Sequence, residues 1–246
     1  MRILLTTTSY QDTPGKHHDA LEASGFEVVR ARGPLPAPEM LKLVEDHDGF
    51  DGFLNGDDAI TSEVIDAALA AATPLKVIAK YGIGLDSIDV PHATSKKLPV
   101  LFTPGVNHTT VAEHAIGLMI AASKHFWMHM REVKAGNWKR QTGNELAGKT
   151  LAVLGMGRIG KEVAKRARAF DMTVIGYDLY WDNDFASECG VRRCEACEEA
   201  LAEADVVSLH LPATDETRGL ISAATIAKMK PTAIVVNTAR GALVSE

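Results

Sequence analysis

The segment Leu151–Gly160 constrains the fold more than any other part of this 246-residue sequence. It reads LAVLGMGRIG, an apolar run followed by three glycines in the pattern G-x-G-x-x-G, and the residues after it have helical periodicity over Ile159–Phe170. A buried strand, a glycine turn and a helix in this order form the phosphate-binding unit of dinucleotide-binding α/β folds. The segment therefore predicts a parallel sheet that holds a dinucleotide at one end.

Each glycine of this loop has its own predicted role. Gly155 permits the tight turn, Gly157 lets the backbone approach a pyrophosphate, and Gly160 lets the helix pack closely on the strand. The helix N-terminus offers free N–H groups and partial positive charge to the phosphates. The intervening residues complete the predicted cofactor loop: Met156, Arg158 and Ile159. The alternative interpretation is a structural turn in an α/β protein that binds no nucleotide.

An acidic residue follows the next predicted strand at a suggestive spacing. Asp178 lies 18 residues after Gly160, close to the position of the carboxylate that binds the adenosine ribose hydroxyls. The residues after it, Leu179, Tyr180 and Trp181, carry no positive charge that would neutralise a 2′-phosphate. The sequence therefore predicts NAD in preference to NADP, whereas Asp178 taken alone could be a solvated strand end.

The rest of the sequence alternates short apolar runs with helical patterns, which is typical of βαβ units and a parallel sheet. The predicted strands are Ile3–Thr7, Glu27–Arg30, Gly52–Leu54, Lys76–Ala79, Val100–Phe102, Thr150–Leu154, Thr173–Tyr177, Val206–Leu209 and Ala233–Asn237. The last one is a nearly continuous apolar run, as expected of a strand buried on both faces. The predicted helices are His17–Ser24, Glu39–Glu45, Thr61–Ala71, Thr109–Glu132, Ile159–Phe170, Glu198–Ala204 and Ser222–Met229. We predict two α/β domains, residues 1–103 and 104–246.

The net charge and the cysteine content limit the kinds of molecule that this protein is expected to bind. The net charge of −6, from 26 basic and 32 acidic residues, disfavours nucleic acid and anionic membranes. No apolar run approaches the roughly 20 residues that a membrane span requires. Cys194-x-x-Cys197 has zinc-ligand spacing, but no second pair of ligands follows it, and Cys189 leaves the cysteine count odd. We therefore expect reduced thiols, no metal and a cytoplasmic location.

Several segments, taken together and in this order, resemble the D-isomer-specific 2-hydroxyacid dehydrogenases, in particular their 3-phosphoglycerate dehydrogenase and hydroxypyruvate/glyoxylate reductase branch. They are Lys80–Asp89 (KYGIGLDSID), Thr103–Asn107 (TPGVN), Val111–His114 (VAEH), the glycine loop, Ser208–Pro212 (SLHLP) and Val236–Gly241 (VNTARG). They extend from about residue 76 to the end, and the first 75 residues fit by their βα pattern alone. The resemblance implies two doubly wound domains, a flavodoxin-like substrate domain followed by a Rossmann NAD-binding domain.

The resemblance implies a catalytic and substrate-binding set. Arg240 is expected to grip the substrate carboxylate and 2-oxygen with its planar guanidinium. The backbone N–H groups of Tyr81, Gly82, Ile83 and Gly84 are expected to bind the carboxylate. Lys80 stands where phosphoglycerate dehydrogenases often have an arginine for the far end of the substrate, and a lysine provides a point charge and not a fork.

The resemblance also implies the remaining cofactor contacts. His210, Leu211 and Pro212 are expected to line the adenine pocket, which places His210 at the adenine end and away from the catalytic base. Thr217 is expected near the phosphates. The nicotinamide is expected between Val111 on one side and Thr238 and Ala239 on the other, beside Arg240. His114, on the apolar helix, is interpreted as a packed structural histidine.

The sequence departs from the family pattern at its end. In the family, a glutamate, a histidine that acts as general base and an aspartate follow the arginine strand, whereas this sequence ends at Glu246, six residues after Arg240. We therefore expect a Rossmann domain that is incomplete at its C-terminus and little activity from residues 1–246 alone. The predicted function is NAD-dependent interconversion of a D-2-hydroxy acid and a 2-oxo acid, in a homodimer formed through Thr109–Glu132. An NAD-binding regulatory protein and a truncated non-catalytic family member are the alternatives.

Overall fold

The computed structural model describes all 246 residues, Met1–Glu246. The chain divides into two compact units, Met1–Gly105 and Val106–Glu246. Each unit contains one five-stranded sheet in which every pair of neighbouring strands is parallel. The predicted α/β class is therefore confirmed. None of the helices has the length and apolarity that a membrane-spanning segment requires.

The first unit alternates strands with helices. Its elements are β1 (Arg2–Leu5), α1 (Thr8–Asp12), α2 (Lys16–Ala23), β2 (Glu27–Arg30), α3 (Ala37–Asp46), β3 (Gly52–Asn55), α4 (Ser62–Ala70), β4 (Val77–Lys80), α5 (Val90–Ser95) and β5 (Val100–Leu101). The strand order is β2-β1-β3-β4-β5, which is the flavodoxin-like arrangement. Apolar side chains from β1, β3 and β4 pack beneath α3 and α4, and fully buried members of this core include Leu4, Phe53, Ile65 and Ile78.

Side-chain caps fix where two helices of the first unit begin. The Thr61 hydroxyl accepts a hydrogen bond from the Val64 amide at the start of α4. The Asp89 carboxylate accepts from the His92 amide at the start of α5, where Pro91 occupies a position that needs no donor. These caps hold the loops that follow β3 and β4 in place.

The second unit begins with two helices and continues as a doubly wound sheet. Its elements are α6 (His108–Ser123), α7 (Phe126–Lys134), β6 (Thr150–Leu154), α8 (Arg158–Arg168), β7 (Thr173–Tyr177), α9 (Asn183–Cys189), β8 (Val191–Arg193), α10 (Cys197–Glu203), β9 (Val206–Leu209), α11 (Ala223–Ile226), β10 (Ile234–Asn237) and a 3₁₀ turn (Gly241–Leu243). The order β10-β9-β6-β7-β8 becomes 3-2-1-4-5 when the strands are numbered within the unit and taken from the β8 edge. This is the Rossmann arrangement, in which the strand order reverses between β6 and β9.

Three sequence predictions about the second unit are wrong. His114, interpreted as a packed structural histidine, is exposed on α6. The single helix predicted over Thr109–Glu132 is two helices, because His125 adopts left-handed backbone angles (φ 54°, ψ 40°) and ends the continuity. Histidine is one of the residues that tolerate this conformation. The strand predicted as buried on both faces is the edge strand β10, where Val236 is buried but Val235 is 37% exposed. Five short elements escaped prediction: α1, α5, α9, β8 and the 3₁₀ turn.

Candidate active-site loops

Two glycines of the β6–α8 loop are required by close packing. Gly155 has φ 98°, and a Cβ placed on it would lie 2.7 Å from the carbonyl carbon and oxygen of His210. A Cβ on Gly160 would overlap the Gly155 carbonyl oxygen. The Gly155 amide also donates to the Tyr177 carbonyl at 2.9 Å. The loop thus joins the carboxyl ends of β6, β7 and β9 at the point where the strand order reverses.

The middle glycine faces open space. A Cβ on Gly157 would meet no atom within 4 Å, and Gly157 is the residue immediately before α8. The first amides of a helix have no partner within the helix, and together with the helix dipole they attract anions. The start of α8 is therefore accessible and has the electrostatics that a pyrophosphate requires.

Asp178 is fixed at the end of β7 by backbone amides. One carboxylate oxygen accepts the Met156 N–H at 2.6 Å, and the other accepts the Tyr180 N–H at 2.8 Å. These hydrogen bonds come from the backbone and not from a lysine or an arginine. Leu179 and Tyr180 are 77% and 89% exposed. The acid thus lies directly against the glycine loop, and the side chains that follow it bring no positive charge.

His210 follows β9 and is held in its neutral form. Its backbone N–H donates to the Leu154 carbonyl at 2.8 Å, and its Nε2 lies 2.8 Å from the Ser208 hydroxyl. Burial lowers the pKa of His210 from 6.5 to about 4. A neutral imidazole cannot attract the phosphates as a cation, and it forms a surface that suits an uncharged aromatic ring.

The Thr217 side chain holds the loop after His210 together with hydrogen bonds to its backbone. The Thr217 hydroxyl donates to the Pro212 carbonyl at 2.6 Å and accepts the Thr214 N–H at 2.8 Å. These bonds fold Leu211 and Pro212 back beside β9. The structure thus uses the Thr217 side chain to shape the loop in which the sequence predicts cofactor contacts.

One cavity brings together residues that the sequence places on opposite sides of a ligand. It has a volume of about 470 Å³ and is lined by Thr110, Val111, His114, Leu118, Asn237 and Thr238. Val111 comes from α6, and Thr238 follows β10. The Thr238 hydroxyl oxygen is buried without a hydrogen-bond partner. An unpaired buried hydroxyl is costly, so this one is suited to bond a group that enters from outside.

Asn237 positions the arginine segment, a role that the sequence analysis missed. Its side-chain nitrogen donates to the Arg240 carbonyl at 2.8 Å, and its side-chain oxygen accepts the Ala239 N–H at 3.0 Å. The Arg240 guanidinium, which is half-buried, donates to the Ala239 carbonyl at 2.9 Å. The available signal was an asparagine directly after an apolar strand, since asparagine side chains often bond to the backbone two or three residues further on.

In the first unit, the loop after β4 carries two occupied and two unoccupied amides. The Tyr81 N–H donates to the Asn55 carbonyl at 2.9 Å, and the Gly82 N–H donates to the Lys80 carbonyl at 3.1 Å. The amides of Ile83 and Gly84 have no such partner. Of the four amides that the sequence predicts for a substrate carboxylate, these two are available in this structure.

The cysteines form no metal site or disulfide. Cys189, Cys194 and Cys197 are free thiols, and no group of three or more potential ligands surrounds them. Burial raises the pKa of both Cys194 and Cys197 to about 11. Both thiols are therefore protonated at neutral pH, which is the unreactive form.

Comparison with known families agrees with this geometry. Residues 116–246 match the family described as "D-isomer specific 2-hydroxyacid dehydrogenase, NAD binding domain". Hydroxypyruvate reductase of Thermotoga maritima is 40% identical over 215 residues, which cover 86% of this chain and 67% of that protein. The chain belongs to the D-isomer-specific 2-hydroxyacid dehydrogenase family.

Other members of the D-2-hydroxyacid dehydrogenase family are longer than this chain. D-3-phosphoglycerate dehydrogenase of Methanocaldococcus jannaschii is 42% identical over 235 residues, which span 94% of this chain but 43% of that protein. The TT0316 protein of Thermus thermophilus has a TM-score of 0.86 and 39% identity, covering 100% of this chain and 76% of the solved one. D-lactate dehydrogenase of Aquifex aeolicus, solved with NAD and lactic acid, has a TM-score of 0.81 and 28% identity, covering 99% and 70%.

The residues of this family member fit the cofactor that the family description names. NAD is the cofactor of the domain that the second unit matches. Gly157 leaves room at the start of α8, and the Thr238 hydroxyl lacks a partner inside its cavity. Both features fit a ligand that carries phosphates at one end and polar groups at the other.

Proposed function

We propose that the protein carrying this sequence is an NAD-dependent oxidoreductase that interconverts a D-2-hydroxy acid and a 2-oxo acid. The observation that carries the proposal is the arrangement of the β6–α8 loop, with Gly157 open to a ligand and Asp178 bonded against the loop. When bound, NAD would supply the hydride acceptor for the carbon that bears the hydroxyl, and NADH would supply the hydride for the carbonyl carbon. The hydroxyl proton would pass to a general base, which the family pattern provides after the arginine strand.

The proposed cofactor residues divide by function. The amides around Gly157 at the start of α8 bind the pyrophosphate, and the Asp178 carboxylate binds ribose hydroxyls. The neutral His210 and the residues after it, Leu211 and Pro212, line the adenine pocket. Val111 and Thr238, which line the same cavity, hold the nicotinamide between them.

The proposed substrate residues bind the substrate carboxylate through hydrogen-bond donors and positive charge. The unoccupied amides of Ile83 and Gly84 bind the substrate carboxylate, because bare backbone N–H groups approach an anion closely. The Arg240 guanidinium grips the carboxylate and the 2-oxygen. In the reductive direction it stabilises the negative charge that develops on this oxygen. Asn237 keeps the Arg240 backbone in place through its two hydrogen bonds.

Replacing Arg240 in the complete protein that carries this sequence tests the proposal. Arg240→Lys keeps the charge but loses the two-pronged geometry, so we expect kcat/KM for the oxo acid to fall by about a hundredfold or more with NADH affinity nearly unchanged. Reduction of glyoxylate, hydroxypyruvate and 3-phosphohydroxypyruvate by NADH is measured beside the control Arg192→Lys, whose arginine pairs with glutamates on the surface. Turnover within about twofold of the unmodified protein contradicts the role of Arg240. Tight NADH binding without turnover of any oxo acid favours an NAD-binding regulatory protein instead.

We also propose that the protein is a cytoplasmic homodimer that pairs through α7. Large apolar side chains of α7 and the loop after it are exposed: Phe126 (47%), Trp127 (72%), Met130 (57%), Val133 (62%) and Trp138 (86%). Single exposed apolar side chains are common on protein surfaces, but a contiguous patch of this kind is typical of an interaction site. We propose that a second copy of the chain covers it. The free thiols suit a reducing compartment. Trp127→Glu is expected to shift sedimentation from dimer to monomer, and an unchanged mass would exclude this surface.

A further inference from the structure

A buried ion pair lies beside the loop that we propose as the substrate site. The Lys80 side chain is 3% exposed, and its ammonium donates to the Gly56 carbonyl and to the Asp57 carboxylate, both at 2.5 Å. The Asp57 side chain is 84% exposed. Lys80 is thus neutralised from within its own unit, and the carboxylate that neutralises it faces solvent.

The ion pair is joined to the substrate loop through the sheet. Asn55, at the end of β3, lies opposite Lys80, at the end of β4, and the Asn55 carbonyl accepts the Tyr81 N–H. The Lys80 chain passes under the loop, because a Cβ on Gly82 would lie 3.4 Å from its Cε. The Lys80 end of the ion pair therefore lies against Gly82, the residue that precedes the amides we propose for the substrate carboxylate.

Lys80 is the cation that lies directly beneath the substrate loop, and its charge is already paired with Asp57. Arg30 ends β2, three strands from β4, and acts on Tyr10, whose ring packs edge-on against Tyr81 with 5.5 Å between the centroids. The Lys80 side of the loop therefore offers an extended ligand a solvent-exposed carboxylate and a cation that this carboxylate already neutralises.

This arrangement discriminates between substrates by charge. A phosphate adds about 1.5 to 2 negative charges at neutral pH. Beside Asp57 it would either meet a like charge or displace the carboxylate from Lys80 and leave it unpaired, and both outcomes cost free energy. An uncharged far end, such as a hydroxyl, meets no repulsion and can donate a hydrogen bond to the Asp57 carboxylate.

We infer that Asp57 is a specificity determinant that selects 2-oxo acids with an uncharged far end over phosphorylated ones. The inference rests on the proposed dehydrogenase function and narrows its substrate class. It separates this protein from the D-3-phosphoglycerate dehydrogenases to which it is similar. Asp57 acts on the binding of the far end, whereas the groups that contact the reacting carbon stay the same for both substrates.

The test compares hydroxypyruvate with 3-phosphohydroxypyruvate, using NADH and the full protein. We expect kcat/KM to favour hydroxypyruvate by at least about tenfold. Asp57→Asn removes the charge and keeps an oxygen for Lys80, so it should raise kcat/KM for the phosphorylated substrate about tenfold and change that for hydroxypyruvate less than threefold. Asp46→Asn, which removes an exposed charge at the end of α3, should leave the ratio unchanged. A preference for the phosphorylated substrate, or an unchanged ratio in Asp57→Asn, overturns the inference.

A binding measurement separates this inference from the proposed function. Isothermal titration of D-glycerate and 3-phospho-D-glycerate in the presence of NAD needs no turnover. Absence of turnover with both oxo acids contradicts the dehydrogenase proposal, while tighter binding of glycerate that is lost in Asp57→Asn still supports the role of Asp57. Equal or tighter binding of the phosphorylated acid, or no binding of either, overturns the inference independently of activity.

Discussion

The two sheets of this protein differ at the same topological position, the crevice where the strand order reverses. In each, the order in which successive strands are added reverses between two central parallel strands, β1 and β3 in the first unit and β6 and β9 in the second. In the first unit the crevice is closed, because the buried Asp58 carboxylate accepts hydrogen bonds from the Thr6 hydroxyl and from the Gly56 and Leu35 amides. In the second unit Gly155 packs on the backbone of His210, and Gly157 leaves open space.

This difference shows that loop chemistry, and not strand order, decides where a ligand binds. Crevices at the carboxyl ends of strands are the general ligand site of open α/β sheets. The first unit fills its crevice with a carboxylate and three donors, so its unoccupied amides lie elsewhere, at Ile83 and Gly84 after β4. The second unit places glycines at its crevice, and Gly157 leaves open space there. Each of the following predictions tests one side of this comparison.

The closed crevice is tested by removing its central acceptor. Asp58→Ala removes the shared acceptor of the fully buried Thr6 hydroxyl and of the half-buried Gly56 and Leu35 amides. At about 1–3 kcal/mol for the buried hydroxyl, with smaller contributions from the two amides, the free energy of unfolding should fall by about 2–4 kcal/mol. Urea denaturation measures this fall. Asp58→Asn, which keeps acceptor oxygen, should lose less, and equal losses would refute the hydrogen-bond explanation.

The pH dependence of stability tests whether His210, beside the crevice of the second unit, is buried in its neutral form. Its pKa is lowered by burial from 6.5 to about 4, so the unfolded chain binds a proton between these values that the folded chain does not. The free energy of unfolding is therefore lost as pH falls through this window, by about 2 kcal/mol between pH 7 and pH 5. His210→Gln keeps a hydrogen-bonding group but does not titrate, and it should lose about that much less over the same interval. Identical pH dependence in both proteins would contradict the burial of a neutral imidazole.

The open space at Gly157 is tested by two alanine substitutions, one at Gly157 and one at Gly160. Gly157→Ala adds a methyl group where the protein has no atom within 4 Å, so stability should change by less than about 1 kcal/mol while NADH affinity falls about tenfold. Gly160→Ala forces a methyl group onto the Gly155 carbonyl, so it should destabilise the fold by about 1–3 kcal/mol. Thermal unfolding and NADH titration on both variants check the contrast. Equal effects on stability would remove the distinction between a glycine for packing and a glycine for a ligand.

The glycine loop and the spacing of Asp178 were predictable because backbone geometry and a turn of fixed length determine them locally. The break between α6 and α7 was not, since neither Lys124 nor His125 is a residue that regularly ends a helix. The burial of β10 depends on which strands flank it, and a single apolar run does not contain that information. The pairing of Lys80 with Asp57 joins residues 23 apart through neighbouring strands. Its effect on specificity therefore becomes visible only in the folded structure.

The central claim, that the open crevice of the second unit is a site for NAD, is tested most directly by titrating NADH and NADPH against tryptophan fluorescence. Trp181 reports on the loop, since its ring approaches Gly176 of β7 beside Met156. Asp178 is held against the loop without a cationic partner, so NADPH, with its 2′-phosphate, should bind at least about tenfold more weakly than NADH. Asp178→Asn should reduce the difference in affinity between NADH and NADPH. Equal or tighter binding of NADPH, or no binding of either nucleotide, would contradict the account.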